Sequence, residues 1–215
     1  MQDQGRTVVV ACHHKAGSSY IRNTLVKICH LLDWRLEQSG HNEFPNLTQE
    51  HNEKCTIYYF SHSNCDLINS LLKERQFHQG KAIHIVRDPR TLVVSAARYH
   101  LDSTEAWLDM PLKKYHQATY RSLMLRQRTF DEQLVLEMRE ASRQTLLNMS
   151  RINSIIPKLL QFKIEDLSWD TSGLVHSRFA QVLACDPEDR QICQNILLKD
   201  SFAMLPKTPS PVSYT

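Results

Sequence analysis

The stretch TVVVACHHKAGSSYIRNTL, residues 7–25, decides the fold of this chain. It begins with a short run of apolar, mostly β-branched residues, passes through a polar turn that contains one glycine, and continues with apolar residues at helical spacing. This order predicts a buried strand over residues 7–12, a loop, and a helix over residues 18–32. The loop places one lysine and two hydroxyl side chains, Lys15, Ser18 and Ser19, where the strand ends.

The same strand–helix order occurs twice more. Apolar runs at residues 55–60 and 82–86 predict two further strands, and helical patterns follow them at 66–76 and 90–100. Strands that alternate with helices pair in parallel, and short continuous apolar strands are typical of a sheet covered on both faces. We therefore predict an α/β layer fold with a central parallel sheet.

The second half of the sequence is helix-rich. Helical patterns cover residues 103–109, 112–126, 130–156, 173–184 and 187–198, and a short strand candidate covers 160–164. The last ten residues, 206–215, contain three prolines and predict an extended or disordered tail. We expect a single domain over residues 1–205.

Composition and charge restrict the class of protein. The 215 residues are 41% hydrophobic and 23% charged, and 26 basic against 23 acidic residues give a net charge of +3. Lysine and arginine form no dense cluster, so we expect an anionic small ligand and no nucleic-acid partner. The apolar run at 8–12 is too short for a signal-peptide core or a membrane span, so we expect a cytoplasmic chain without an integral membrane segment. Six cysteines without a CxxC pair indicate reduced thiols, and we expect no metal site.

The loop after the first strand has the chemistry of an anion site. Backbone N–H groups at the start of a helix carry a partial positive charge, and Gly17 allows the backbone to approach a ligand closely. Lys15 adds a full charge, but it precedes the glycine, so the sequence is not a Walker A motif. The alternative is an ordinary helix N-cap by Ser18 or Ser19.

A second candidate anion site follows the third predicted strand, in VRDPRTLVVSAARYH, residues 86–100. Arg87 stands at the strand exit, and Ser95 follows eight residues later on a helix that starts near Asp88 and Pro89. Arginine binds phosphate through paired N–H donors. The alternative is an ion pair of Arg87 with Asp88 or another nearby carboxylate.

Together the two stretches resemble the sulfotransferase family, which transfers sulfuryl groups from 3′-phosphoadenosine-5′-phosphosulfate (PAPS). K-x-G-[ST]-[ST] is similar to the family's 5′-phosphosulfate loop, and V-R-D-P-R-x-x-x-x-S is similar to its 3′-phosphate site. CTIYYFSHSNCDLINSLL, residues 55–72, resembles the family's middle strand, whose end carries a catalytic histidine, here His62. FKIEDLSWD, residues 162–170, resembles its Glu-Asp-Leu segment.

The resemblance implies a three-layer P-loop-like sandwich and a set of site residues. The 5′-phosphosulfate loop would consist of Lys15, Ala16, Gly17, Ser18 and Ser19. Tyr20 would stack on adenine, and Arg87 and Ser95 would hold the 3′-phosphate. His62 would act as the base, and Lys15 would stabilise the departing phosphate of the product, 3′-phosphoadenosine-5′-phosphate (PAP). This chemistry requires no metal.

The base and the acceptor stay open at this level. His13, His14 and His100 are alternatives to His62, and His62 could instead pair with the backbone at the strand end. The acceptor would be a small molecule that carries a hydroxyl or an amine. Apolar and acidic residues at 103–128 suit an amphiphilic or cationic natural product, although a plain amphipathic helix gives the same pattern.

The sequence departs from the family in three respects. Phe60 occupies the place where cytosolic members carry a lysine, and the basic closing segment is reduced to Lys199 and LPKT. The chain is also short, which leaves open that a second subunit of a homodimer completes the acceptor pocket.

Two other functions remain as alternatives to a sulfotransferase. One is a catalytically silent nucleotide-binding or scaffold protein. The other is an ATP-dependent kinase, disfavoured because Ser61 and Arg87 stand where a magnesium-binding acid would follow a strand.

Overall fold

The computed structural model describes residues 6–39, 54–74, 81–155 and 159–201. The strands in these ranges are β1 (Arg6–Ala11), β2 (Arg35–Ser39), β3 (Cys55–Phe60), β4 (Lys81–Val86) and β5 (Leu159–Lys163). The helices are α1 (Ser18–Leu32), α2 (Cys65–Glu74), α3 (Pro89–Asp102), α4 (Tyr120–Arg126), α5 (Phe130–Glu140), α6 (Ser142–Ile155), α7 (Ile164–Trp169), α8 (Leu174–Leu183) and α9 (Pro187–Asp200). Two short 3₁₀ helices, Ala106–Asp109 and Lys113–Tyr115, lie between α3 and α4.

The five strands form one parallel sheet in the order β2-β3-β1-β4-β5. β1 occupies the centre, where Val9 pairs with Tyr58 of β3 on one side and with Ala82 of β4 on the other. The chain leaves β1 toward one edge of the sheet and later returns to its other side. Ligands of open parallel sheets bind at such a reversal, beyond the carboxyl ends of the strands. The ends of β1, β3 and β4 are therefore the place to look for a site.

Helices cover both faces of the sheet. Val8 and Val10 of β1 belong to a core shared with α1, α8 and α9, whereas Val9 and Ala11 belong to a second core with α2 and α6. All four side chains are fully buried, as expected for a strand between two helical layers. The predicted α/β fold, a three-layer sandwich around a central parallel sheet with a helix-rich second half, is confirmed.

A third, smaller core joins α3, α4 and α5 around Leu108, Tyr120 and Met124. It lies beside the two sheet cores and consists of side chains from the helix-rich half. These helices bring residues from the middle of the sequence next to the ends of the central strands.

Some predicted boundaries are wrong. β2 was not predicted, because RLEQS is a mostly polar edge strand. The helix predicted over 130–156 is two helices that meet at Ala141, next to Ser142, whose hydroxyl donates back to the Glu137 carboxylate at 2.6 Å. The helical patterns at 103–109 and 112–126 form only short 3₁₀ turns and α4, and Ile164 begins α7 instead of ending a strand. The predicted tail, 206–215, lies outside the described residues.

Candidate functional site

The loop between β1 and α1 presents the first turn of α1 without a side-chain cap. Gly17 is the N-cap residue with φ +82°, and no side chain caps the helix there within the described ranges. Ser18 and Ser19 therefore belong to the first helical turn, and the predicted alternative of a serine N-cap is not found. Lys15 also has a positive φ, +60°. The loop thus bends sharply, and the N–H groups of the first turn need partners from outside the helix.

Gly17 also packs too closely for a side chain. A Cβ atom placed on it would overlap the side chain of Ile164, the first residue of α7. Glycine is therefore required here both for the left-handed backbone and for space. The close approach fixes the loop between β1 and α1, which carries Lys15, against α7, which carries the Glu-Asp-Leu segment.

A cavity of about 590 Å³ opens at the carboxyl edge of the sheet. Its lining residues are His14, Lys15, Gly17, Ser18, Ser19, Tyr20, His62, Arg87, Tyr99, Glu105, Ile164, Glu165, Ser168 and Trp169. We call it the first cavity. It brings together most of the residues predicted from the sequence, although they come from three separate loops.

Two of the predicted residues do not line this cavity. Ala16 is fully buried, and its backbone N–H donates to the His13 carbonyl at 3.0 Å. Ser95 lies two turns along α3 from its start and is only half-buried there. Of the predicted set, the described structure therefore joins Lys15, Gly17, Ser18, Ser19, Tyr20, His62 and Arg87, but not Ala16 and Ser95.

Arg87 connects two of the loops that line the first cavity. Its Nη1 donates to the carbonyl of Lys15 at 2.7 Å, and its Nε donates to Thr91 Oγ1 at 3.2 Å. The Glu165 carboxylate lies 3.9 Å from the same Nε. Asp88 does not pair with Arg87, because it caps α3 and binds Arg90 at 2.6 Å. Arg87 thus fixes the lysine loop while its side chain lines the cavity.

Lys15 lies in an aromatic and acidic setting. Its Nζ is 2.9 Å from the centroid of the Tyr99 ring, a cation–π contact. Glu105 accepts hydrogen bonds from the Tyr99 hydroxyl at 2.9 Å and from Trp107 Nε1 at 2.7 Å. Burial raises the pKa of Glu105, but these hydrogen bonds outweigh it and the pKa is lowered overall. Burial, partly opposed by Glu105, lowers the pKa of Lys15.

Three imidazole rings form a column at the end of β1. The His14 ring stacks between His62, with ring centroids 5.4 Å apart, and His100, with ring centroids 5.3 Å apart. His62 Nδ1 lies 3.1 Å from Ser61 Oγ, and His62 Nε2 lies 3.4 Å from His14 Nδ1. Burial, reinforced by His100 and His62, lowers the pKa of His14 to about 4, so His14 is uncharged near neutral pH.

The inner end of the column rests on a buried carboxylate. His100 Nδ1 lies 2.8 Å from Glu137 Oε2, and Glu137 is fully buried. The carboxylate also accepts hydrogen bonds from the Tyr120 and Ser142 hydroxyls, each at 2.6 Å. Burial raises the pKa of Glu137, but the three hydrogen bonds outweigh it and lower the pKa overall. A buried charge with this many donors is well stabilised.

His13 has a different environment from the other two alternatives. Its Nε2 lies 2.8 Å from His84 Nε2, and His84 in turn contacts Asn153 at 3.2 Å. Burial lowers the pKa of His13 to about 3 and that of His84 to about 4. The pair is therefore uncharged near neutral pH, and we interpret His13 as a structural residue in the loop after β1.

A second cavity, of about 820 Å³, adjoins the first. Its lining residues are His13, His14, His62, Ser63, Asn64, His100, Glu105, Ala106, Trp107, Ala141, Gln144, Thr145 and Asn148. His14, His62 and Glu105 line both cavities. The two spaces thus share a wall, and a group bound in one can meet a group bound in the other at this wall.

Several lining residues were missed from the sequence. Glu165 and Trp169 lie inside the segment FKIEDLSWD. The resemblance of this segment to the family marks the region, but it does not identify these two side chains. Tyr99 and Glu105 flank the end of α3, and no motif marks them. Lys199, predicted as a remnant of a basic clamp, is exposed and lines neither cavity, and LPKT lies outside the described residues.

Comparisons with known proteins support the fold. No protein-family model and no curated protein matches this chain. Among solved structures, the chain is similar to the mouse sulfotransferase SULT7A1 complexed with PAP, with a TM-score of 0.57 and 15% sequence identity. The match covers 93% of this chain and 65% of the mouse chain, so this chain spans about two thirds of that length. The protein has a sulfotransferase-like fold.

No helix in the described ranges is both long enough and apolar enough to cross a membrane.

Proposed function

We propose that this chain is a sulfotransferase that moves a sulfuryl group from PAPS to a hydroxyl or amine of a small molecule. One observation carries the proposal. Lys15, the first turn of α1 and Arg87 line a single cavity at the carboxyl ends of adjacent parallel strands, and that cavity shares the wall of His14, His62 and Glu105 with a second one. Donor and acceptor need two neighbouring spaces of this kind.

The first cavity fits a nucleotide that carries phosphate groups. Its volume of about 590 Å³ lies within the usual range for small-ligand sites, roughly 300–1,000 Å³. The N–H groups of the first turn of α1, with Lys15, would hold the 5′-phosphosulfate. Arg87 would hold the 3′-phosphate with N–H groups that it does not use on Lys15 and Thr91. Tyr20 would lie against adenine.

PAPS supplies an activated sulfuryl group and a phosphate that departs with negative charge. The protein's own contribution is to stabilise that charge with groups already in place. Lys15 is held by the Tyr99 ring, and its carbonyl is held by Arg87. Because the loop is fixed by these contacts, the lysine and the helix amides need little rearrangement in the transition state.

His62 is the proposed base for the acceptor's proton. The Ser61 hydroxyl lies 3.4 Å from the Ser39 carbonyl, to which it donates, so it can accept a hydrogen bond from Nδ1–H of His62. That tautomer leaves a lone pair on His62 Nε2, which lies 3.4 Å from His14 Nδ1. An acceptor hydroxyl at the shared wall would replace His14 as the neighbour of this nitrogen. His14, with a pKa of about 4, is a weaker base.

A catalytically silent nucleotide-binding protein of the same fold is the second candidate. Two observations favour it. The Glu165 carboxylate lies near Arg87, where a phosphate would meet a like charge, and Lys199 is not part of either cavity. Such a protein would bind PAP without turning over any acceptor.

The test of the donor is calorimetric titration with PAP, ADP and AMP. We expect micromolar binding of PAP, with ADP and AMP at least tenfold weaker, since only PAP carries the 3′-phosphate. Arg87→Ala should remove most of this preference. Arg143→Ala, an exposed arginine on α6 that lines neither cavity, is the matched control and should bind PAP as the unaltered protein does. Equal affinity for the three nucleotides would overturn the proposal.

A further inference from the structure

The second cavity is lined by a buried histidine, one of whose ring nitrogens has no hydrogen-bond partner among the described residues. His100 is 2% exposed and lines the cavity. Its Nε2 atom has no hydrogen-bond partner in the described part of the chain. Buried polar atoms are nearly always paired, and leaving one unpaired costs free energy. The unpaired nitrogen therefore indicates a hydrogen bond to a group of a bound ligand.

The hydrogen bond with Glu137 determines which ring nitrogen of His100 carries the proton in the uncharged imidazole. Glu137 is an ionised, fully buried carboxylate, so it accepts the hydrogen bond from Nδ1–H of His100. A neutral imidazole with its proton on Nδ1 carries a lone pair on Nε2. Tyr120 and Ser142 hold the carboxylate from other sides, which keeps the ring in this orientation. In its uncharged form, His100 thus presents a hydrogen-bond acceptor at the second cavity.

The position of His100 separates it from the reacting group. The shared wall, which includes His14 and His62, lies where a sulfuryl group would pass from the first cavity to the second. His100 lines only the second cavity, one stacked ring beyond His14. A molecule whose reacting oxygen or nitrogen meets His62 would therefore bring a different atom to His100.

The charge of the lining selects among ligands. Glu105 contributes a carboxylate, and no lysine or arginine belongs to the lining formed by the described residues. His14 Nε2 is a second imidazole nitrogen without a partner in these ranges. With the lone pair on Nε2 of uncharged His100 and one negative charge, the cavity disfavours an anionic ligand.

We propose that the acceptor is an uncharged or cationic molecule with a second hydrogen-bond donor, a hydroxyl or an ammonium group, which binds Nε2 of His100. The proposal rests on the proposed function for the meaning of the shared wall. His100 is then a specificity-determining residue, and Glu137 is the residue that positions it. Molecules with a single polar group, and carboxylic acids, are poor acceptors.

Four ligands with the same phenol and nearly the same chain test this. 4-Ethylphenol has no second donor, 4-(2-hydroxyethyl)phenol adds a hydroxyl, 4-(2-aminoethyl)phenol adds an ammonium, and 3-(4-hydroxyphenyl)propionate adds a carboxylate. Dissociation constants are measured by calorimetry on the full chain, with and without saturating PAP. We expect the hydroxyl and ammonium ligands to bind about tenfold more tightly than 4-ethylphenol, and the carboxylate more weakly than either, since a site with a buried polar atom rejects analogues that leave it unpaired. The dissociation constants of the hydroxyl and ammonium ligands, compared with each other, show which of the two groups the site prefers.

His100→Asn links the preference to the residue. An asparagine amide can still donate to Glu137 from the place of Nδ1 but removes Nε2, so the tenfold preference should disappear. His116→Asn is the matched control, because His116 is exposed, lines neither cavity and has a left-handed backbone that asparagine tolerates. It should keep the preference.

The outcomes are distinguishable. Equal affinities of the unaltered protein for all four ligands, tightest binding of the carboxylate, or no binding of any of them beside bound PAP would overturn this inference, whether or not His100→Asn folds. Failure of PAP to bind would overturn the proposed function instead. In that case a preference for the two donor ligands in the absence of PAP would still support the assignment of His100.

Discussion

The two cavities are built in different ways. The first takes its cations and its glycine from loops that directly follow β1 and β4, so neighbouring residues such as Lys15, Gly17 and Ser18 act together. The second collects side chains from distant parts of the sequence, between His13 and Asn148, and offers imidazoles, amides and one carboxylate. Backbone geometry therefore dominates the first cavity, whereas tertiary packing of helices dominates the second.

The largest effect is expected at the wall that the cavities share. His62→Ala should lower turnover by about 10²–10⁴-fold, because a positioned base contributes roughly that factor. PAP affinity should change less than threefold, since Lys15 and Arg87 provide the donor site. Turnover of a radiolabelled donor and calorimetric PAP titration measure the two quantities.

His14→Ala sharpens this comparison. His14 stacks on His62 but has a pKa of about 4, so its loss should lower turnover by less than about tenfold. A larger loss in His14→Ala than in His62→Ala would show that the assignment of the base is wrong.

The next effect tests the backbone geometry of the first cavity. Gly17→Ala introduces a methyl group that overlaps Ile164 at a residue with φ +82°, and we expect the free energy of unfolding to fall by about 3 kcal/mol. Gly173→Ala is a matched control, because its φ is +73° but the nearest atom to a Cβ is Gln194 Nε2 at 3.5 Å. It should cost only about 1 kcal/mol. Urea denaturation measures both values, and equal losses would contradict the role of Ile164.

A smaller effect concerns the buried histidines near the second cavity. The pKa values of His13, His14 and His84 are lowered to about 3, 4 and 4, chiefly by burial. The unfolded chain therefore binds more protons than the folded chain below pH 6.5, and stability falls as the pH is lowered. We expect a loss of about 2 kcal/mol in the free energy of unfolding between pH 7.5 and pH 6.

Urea denaturation at several pH values checks this. The loss should continue to grow toward the folded pKa values, and His116→Asn should show the same slope, because His116 is exposed. A free energy of unfolding that is flat between pH 7.5 and pH 6 would mean that these rings take up protons in the folded protein as readily as in the unfolded chain.

The fold and the first cavity could be predicted because their signals are local. A strand, a turn and a helix occur within residues 7–25, and the parallel sheet brings the ends of β1, β3 and β4 together without further information. Polar segments carry no such signal. β2, RLEQS, lies at the edge of the sheet, where few apolar residues are needed.

The second cavity could not be predicted for a related reason. Its character depends on Glu137 meeting His100 across thirty-seven residues and two helices, α3 and α5, and no periodicity encodes that contact. A helix broken at Ala141 brings Ser142 to the same carboxylate. In the sequence, Glu137 is one glutamate within a helical pattern, and that pattern by itself predicts a solvated side chain.

The smallest effect separates the two cavities by their tryptophans. Trp169 is 65% exposed and lines the first cavity, whereas Trp107 is 38% exposed and lines the second. Trp169→Ala should weaken PAP binding by about fivefold, the lower end of the contribution of an aromatic stacking platform. The free energy of unfolding should stay within about 0.5 kcal/mol, because the side chain is mostly exposed. Trp107→Ala should change PAP affinity by less than twofold but weaken the binding of the phenols that carry a hydroxyl or an ammonium group. If Trp107→Ala weakened PAP binding more than Trp169→Ala does, PAP would also occupy the second cavity, and the two cavities would be a single binding site.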